Sequence, residues 1–309
     1  MQKADIKNDD VSQTVHRVRL YISKMLAMQL SFELGLRMPL EDHIGDICRK
    51  ARLQTNTELM NASRAAGVTE EDLKHWETHG VLDSPVNIEA LSELLGLDPV
   101  KAVGVAEGWE PQGFDLAQWQ KLYVITTTEG FEVNSFVIWD PDNKEAAIFD
   151  TGWFAESIFD LVESEGLNMR HLFITHMHGD HVAAMGQIRK RWPEIQIYSN
   201  NEGAPEKTRV QTGKTVGVGC MGVTARLTPG HAIDGVTYVV DGWRGGVPAV
   251  AVVGDAIFSG SMGKDFSTPE LAQSKVSEEI LSLPEETLIC PGHGPLTTVS
   301  EELAHNPFF

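Results

Sequence analysis

Thr175-His176-Met177-His178-Gly179-Asp180-His181 gathers three imidazoles and a carboxylate after a short apolar run and ahead of a helical one. His176 and His178 stand two apart, so in an extended segment both rings point the same way. Asp180 and His181 follow in a turn that Gly179 eases. Imidazole nitrogens and carboxylate oxygens are donors for divalent transition metals. Packed this densely, they desolvate and repel one another unless a cation lies between them. Three later residues share the context: His231 in Thr228-Pro229-Gly230-His231, Asp255 in Gly254-Asp255, and His293 in Cys290-Pro291-Gly292-His293-Gly294, each just past a strand-like run. Singly each reads as a turn residue. Together with the first cluster they come in the order that a two-metal site needs. Two cations about 3.5–4 Å apart make a hydroxide nucleophile available at pH 7. One of them also polarises a carbonyl and holds the developing oxyanion. A thiolate leaves without a strong general acid, so a thioester would need no further catalytic side chain, and Asp180 or the metals can accept the proton. The donor set fits Zn, Fe or Mn, and two divalent ions, Zn first, are the expected cofactors.

The elements around these residues change character near residue 112. Before it the pattern is helical. Val11–Leu36 repeats apolar residues at three- and four-residue steps, and shorter helices follow over Glu58–Ala66, Thr69–Trp76 and Ile88–Leu95. Thr69 is a good N-cap with Asp72 three residues on, and Pro99 opens a further helix after Gly96-Leu97-Asp98. Pro111 and Gly113 break the chain, which divides it into a helical domain at 1–112 and a second domain at 113–309. In the second part Leu122–Thr128, Phe136–Asp140, Ala146–Phe149, Leu172–Thr175, Ile195–Tyr198, Val223–Leu227, Thr237–Val240, Ala249–Val253 and Thr287–Cys290 read as strands. Ala155–Glu165, Val182–Trp192 and Glu270–Leu283 read as helices. Many strands with interspersed helices predict two sheets with helices packed outside them.

Residues 120–309 resemble the metallo-β-lactamase fold superfamily, whose hallmark is H-x-H-x-D-H followed by His, Asp and His, and all of these positions are filled here. The resemblance implies an α/β fold, a four-layer α/β/β/α sandwich with the metals at one edge between the sheets. It also implies a ligand division: His176, His178 and His231 for one metal, Asp180, His181 and His293 for the other, and Asp255 bridging both. Asp150-Thr151-Gly152 resembles the family's turn beneath the site, where the Asp supports a ligand; a plain strand-ending turn is the alternative. Gly254 to Lys264 is similar to the glyoxalase II (hydroxyacylglutathione hydrolase) branch, which implies a substrate contact for Lys264; a solvated loop cation is the other reading. That branch carries an aromatic residue shortly after its last His and a basic helical C-terminal extension. This chain has Gly294-Pro295-Leu296 and ends at Phe309. The expectation is therefore a binuclear hydrolase of a thioester or ester, with glutathione not implied. The same resemblance admits a persulfide dioxygenase using one iron at His176, His178 or His231, and Asp255.

Ile47–Ala106 resembles a lambda-repressor-type (XRE) helix-turn-helix domain, with Gly67-Val68 at the turn. This allows a third reading, a metabolite-sensing DNA-binding regulator. Charge argues against it. The helix after the turn begins Glu70-Glu71-Asp72, the wrong sign for phosphates. The chain as a whole has 25 Lys+Arg against 44 Asp+Glu, a net charge of −19, which disfavours nucleic acid and anionic membrane surfaces alike. The wide apolar face of Val11–Leu36 predicts instead a homodimer through the N-terminal helices. Cys48, Cys220 and Cys290 form no disulfide framework, the first ten residues lack a signal-peptide pattern, and no run spans a bilayer, so the expected setting is the cytoplasm. Cys290 reads as a buried apolar residue, and the two Phe residues at the C-terminus are expected to dock on the sandwich.

Overall fold

Apolar residues on both faces of consecutive strands demand a layer on each side of the sheet. In β2 (Phe131–Trp139), Phe136 and Ile138 face one cluster while Val137 and Trp139 face another. In β3 (Glu145–Phe149), Ala147 and Phe149 divide in the same way from Ala146 and Ile148. The computed structural model describes residues 38–119, 121–264 and 268–309. Val11–Leu36 and its apolar face lie outside them. A five-stranded sheet runs in the order β1 (Leu122–Glu129), β2, β3, β4 (Asn168–Phe173), β5 (Gln196–Tyr198). A six-stranded sheet runs β13 (Thr297–Thr298), β12 (Leu288–Pro291), β9 (Val250–Gly254), β8 (Val236–Asp241), β7 (Met221–Leu227), β6 (Thr215–Val218).

Phe136, Phe149, Phe173, Tyr238, Val252 and Cys290 fill the space between the sheets. Each fully buried large apolar side chain contributes roughly 1.5–3 kcal/mol there. Outside the first sheet pack Ile158, Leu161 and Val162 of a helix at Glu156–Glu165 and Ile188 of one at Met185–Arg191. Outside the second pack Val276 of a helix at Pro269–Glu279 and Val299 of one at Val299–His305. The result is the four-layer α/β/β/α sandwich.

The helix expected over Val182–Trp192 is two pieces, Gly179–Val182 and Met185–Arg191. The break falls where the Ala184 N–H turns away to Gly152 O and Thr151 Oγ1, at 3.2 and 3.1 Å. The short strands β6 and β13 and a hairpin of β10 (Ile257–Phe258) with β11 (Ser261–Met262), two to four residues each, were not read from the sequence.

Among the described residues five α-helices precede the sandwich: α1 (Ile44–Gln54), α2 (Leu59–Ala66), α3 (Glu70–His79), α4 (Ile88–Leu95) and α5 (Pro99–Ala106). Their boundaries follow the local signals. Thr69 Oγ1 accepts from Asp72 N at 3.1 Å, and Asp98 caps α5 ahead of Pro99. Pro39–Phe309 forms one compact unit. Ile47, Leu73, Leu91 and Val105 share a core with Met262, Ala272 and Phe308 of the sandwich half. The C-terminal Phe308 thus docks among these helices, and Phe309 lies against both this core and the one outside the second sheet.

Glu302, on the last helix, is fully buried and ties this junction together. Its carboxylate accepts from Thr297 Oγ1 at 2.8 Å, Asn306 Nδ2 at 2.7 Å and Gly260 N at 3.1 Å. Burial pushes the carboxyl up to about 7, against the pull of those donors. The folded chain then holds this proton more tightly than the unfolded one. Stability that is complete below the ordinary value of 4.5 is lost as the pH rises through about 7. Replacing the residue by Glu302→Gln should flatten this slope. Between pH 5 and pH 8 the variant should lose roughly 1–3 kcal/mol less than the parent in paired denaturant titrations; identical slopes would show that Glu302 does not titrate in this window.

Candidate metal centre

The donors sit at the ends of four strands that stop on one edge of the sandwich. His176 follows β4, His231 follows β7, Asp255 follows β9 and His293 follows β12. β9 and β12 are parallel, so Asp255 and His293 emerge side by side, with Gly292 N bonded to Gly254 O at 2.9 Å. Val236 N donates to Thr175 O at 2.8 Å and links the two sheets at this edge. Gly292 is required here by space alone: a Cβ on it would press on Asp255 Oδ1 and lie 2.6 Å from His181 Cε1.

The expected residues converge in three overlapping groups: His176, His178 and His231; Asp180, His181 and His293; and His176, His181 and Asp255. His178 Nδ1 lies 3.1 Å from His176 Nε2 and 2.9 Å from His231 Nε2. His293 Nε2 lies 3.2 Å from Asp180 Oδ2, and His181 Nε2 lies 3.3 Å from the same oxygen. Asp255 stands between the groups: Oδ2 is 3.4 Å from both His231 Nε2 and His293 Nε2, and Oδ1 is 3.2 Å from His181 Nε2. Donors around a tetrahedral cation with bonds of 2.0–2.1 Å are separated by about 3.3 Å, the spacing seen here. His181 Nε2 and Asp255 Oδ1 are buried without a hydrogen-bond partner. Orphaned buried polar atoms are costly and rare, and a cation between these two would satisfy both. The residues fit divalent metal.

Hydrogen bonds on the far side of three of the rings choose which nitrogen faces the cluster. His181 Nδ1 donates to Asp150 Oδ2 at 2.8 Å. His293 Nδ1 donates to Glu132 O at 2.5 Å. His176 Nδ1 meets Thr175 Oγ1 at 3.1 Å, and that hydroxyl donates to Asp150 Oδ2 at 2.7 Å. Asp150 Oδ1 also accepts from Thr175 N at 2.8 Å. Asp150 adopts a left-handed φ of 54°, which Asp tolerates better than most residues. It is therefore more than a turn: one carboxylate orients a ring in each half of the cluster.

Burial pushes His176 down to about 2, with the neighbouring His181 charge adding to the effect. Burial also opposes charge on His293, yet Asp180 and Asp255 outweigh it and raise that ring to about 10. Asp180 and Asp255 feel the same contest in reverse. Burial favours their neutral forms, but His181 and His293 hold both below the ordinary carboxylate range. The cluster thus keeps its carboxylates ionised.

Lys264 is exposed, one residue beyond Gly263, whose position is pressed against the Asp255 carbonyl and His231 Cβ. Cys290 is buried within the inter-sheet core and its thiol is pushed up by burial, as an inert apolar residue should be. Two contributors carried no metal-ligand signal. Asn134 is a buried polar residue in an apolar strand; its Nδ2 donates to Pro291 O at 3.2 Å and Gly294 O at 3.0 Å and fixes the His293 loop. Lys50, on α1, is buried, donates to Met262 O at 2.8 Å, pairs with Asp42 and lies over the Phe258 ring. The only hint for Asn134 was a polar side chain amid apolar strand residues, and for Lys50 there was none.

Residues 128–293 match the profile of the metallo-beta-lactamase superfamily, more than half of the chain. The chain belongs to the metallo-beta-lactamase superfamily. Among superfamily relatives, the hydroxyacylglutathione hydrolase GloC of Haemophilus influenzae is 28% identical over 210 residues, covering 60% of this chain and 96% of that protein. The mitochondrial persulfide dioxygenase ETHE1 of Bos taurus is 29% identical over 182 residues, 56% of this chain and 70% of that protein. The solved BLEG-1 B3 metallo-beta-lactamase is 27% identical with a TM-score of 0.52, covering 60% of this chain and 98% of that one.

Asp150 supplies a test of the geometry. Asp150→Asn keeps the shape but replaces one carboxylate oxygen by an NH2 group, which breaks either the His181 and Thr175 hydroxyl bonds together at Oδ2 or the Thr175 N–H bond at Oδ1. Metal affinity, measured by chelator competition, should fall about 10–100-fold. Unchanged affinity would show that Asp150 does no more than end a strand.

Proposed function

We propose that this chain is a binuclear metal-dependent hydrolase that cleaves a thioester or ester. The observation carrying this is the pair of complete donor groups sharing Asp255. His176, His178 and His231 would hold one cation, and Asp180, His181 and His293 the other, with Asp255 between them. Two bound divalent ions, Zn in the first instance, would supply a nucleophilic water of near-neutral pKa and polarise the carbonyl. The protein's own share is positioning. Asp150, Thr175 and the Glu132 carbonyl hold three rings with Nε2 inward, so the site need not reorganise around the developing negative charge. Asp180, 3.3 Å from His181 Nε2 and 3.2 Å from His293 Nε2, is read as the residue that takes the proton of the attacking water, with the metals as the other acceptor. Lys264 at the rim is read as a contact for a polar arm of the substrate.

Two relatives bear names of different chemistry, a hydrolase and a dioxygenase. The complete second donor group favours hydrolysis, because a single iron would leave Asp180, His181 and His293 without a role. For α1–α5, the helix order and the turn at Gly67 support the helix-turn-helix resemblance. The acidic first turn of α3 and the core shared with the sandwich support a structural role over DNA reading. Among the described residues no helix is long and apolar enough to cross a membrane. We read the setting as cytoplasmic and residues 11–36 as a dimer contact.

Two measurements decide these readings. The parent protein should bind two metals per chain and turn over a member of a thioester and ester panel. Asp255→Ala should lose at least one metal and more than about 100-fold in turnover, because the cations would face each other with one negative ligand fewer. One iron per chain with oxygen uptake would overturn the hydrolase reading. For the dimer, a chain starting at Pro39 should be monomeric in light scattering where the full chain is a dimer; cutting at Gly113 would instead strip the shared core. A full-length monomer would remove the contact.

A further inference from the structure

The segment leading into α1 lies against the metal centre. Leu40 is partly buried in the helical core, and Asp42 is buried and paired with Lys50. Between them Glu41 is exposed. Its backbone packs on Gly294, the residue directly after the ligand His293: a Cβ on Gly294 would lie 3.0 Å from Glu41 N and 3.3 Å from Glu41 Cβ. Gly294 also holds a φ of +71°, so a side chain there is disfavoured twice over. The missing side chain at 294 is what lets the helical segment approach the site.

Behind this contact the packing is continuous. Lys50 lies over Phe258 with its Nζ 5.1 Å from the ring centroid, and the Phe258 ring lies 5.8 Å from that of His293. Lys50 is paired with Asp42 and the Met262 carbonyl, and it acts on Glu41 only at a distance, without an ion pair. Among the described residues Glu41 has no ion-pair partner. Its carboxyl is pushed up by partial burial; the charges of His293 and Lys50 pull it down and those of Asp42 and Asp255 push it up, so groups of the centre are among those that act on it. The rim also carries apolar surface: Phe131, exposed, has its ring 5.6 Å from that of His293.

We propose that Glu41 is a specificity-determining residue, the counter-ion for a protonated amine on the substrate, at the His293 side of the site. An unpaired, partly desolvated carboxylate beside a carbonyl-cleaving centre favours a cation and disfavours a second carboxylate at the same place. With Lys264 exposed elsewhere on the rim, the fitting substrate is an ester or thioester whose alcohol or thiol part bears an ammonium group. This rests on the hydrolase reading for the scissile bond, but the charge preference does not depend on turnover.

The test separates the two. Full-length protein loaded with cobalt(II) is titrated with three small thiols, cysteamine, 2-mercaptoethanol and mercaptoacetate, which carry an ammonium, no charge and a carboxylate. Binding is read from the thiolate-to-cobalt absorbance. Glu41→Gln should weaken cysteamine about fivefold and leave 2-mercaptoethanol within about twofold. Glu41→Lys should weaken cysteamine further and tighten mercaptoacetate. Affinities that shift equally for all three thiols, or not at all, would overturn the role of Glu41. Absence of hydrolysis across the ester panel with the thiol preference intact would sink the hydrolase reading and leave Glu41 standing.

Discussion

The site depends on one buried carboxylate that is not itself among the expected ligands. Asp150 sits at the end of β3 and accepts from the Thr175 backbone, the Thr175 hydroxyl and His181 Nδ1. Through Thr175 it also sets His176. Both halves of the donor cluster are thereby tied to one point between β3 and β4. A ring orientation chosen by a hydrogen bond on its far side is fixed before any cation arrives. For His176, His181 and His293 the nitrogen left facing the cluster is Nε2.

That arrangement has an energetic cost the fold must carry. His181 and Asp255 are fully or almost fully buried, and their facing atoms lack hydrogen bonds. The sandwich tolerates this because the surrounding strands are dense with apolar residues on both faces and hold the edge rigid. Glycines at 254 and 292, where the parallel strands β9 and β12 end, let the loops carrying Asp255 and His293 approach within bonding reach of the His176–His181 turn.

The helical segment belongs to the same physical unit. Lys50, Glu41 and Trp109 reach the β10–β11 hairpin or the His293 loop, and Phe308 returns from the C-terminus into the helical core. Glu302 and Asn306 also bind the hairpin, at Gly260 N and Ser261 O. Of these partners, Lys50 bonds a hairpin carbonyl 212 positions away in sequence.

The four clustered donors and the capped helices were legible in the sequence because each rests on a local signal, whereas His231, Asp255 and His293 were legible only in company with that cluster and through the family resemblance. His176, His178, Asp180 and His181 are neighbours along the chain, and Thr69, Gly96, Asp98 and Pro99 act within one turn of themselves. Strand positions were legible where β-branched, aromatic and other apolar residues clustered, and lost at β6, β10, β11 and β13, which are two to four residues long. What Asp150 does, what Asn134 and Lys50 hold, and where Phe308 docks were decided only in three dimensions. These roles depend on contacts between residues far apart in sequence, and no spacing or period along a chain encodes which distant backbone a lone Asn, Lys or Glu will meet.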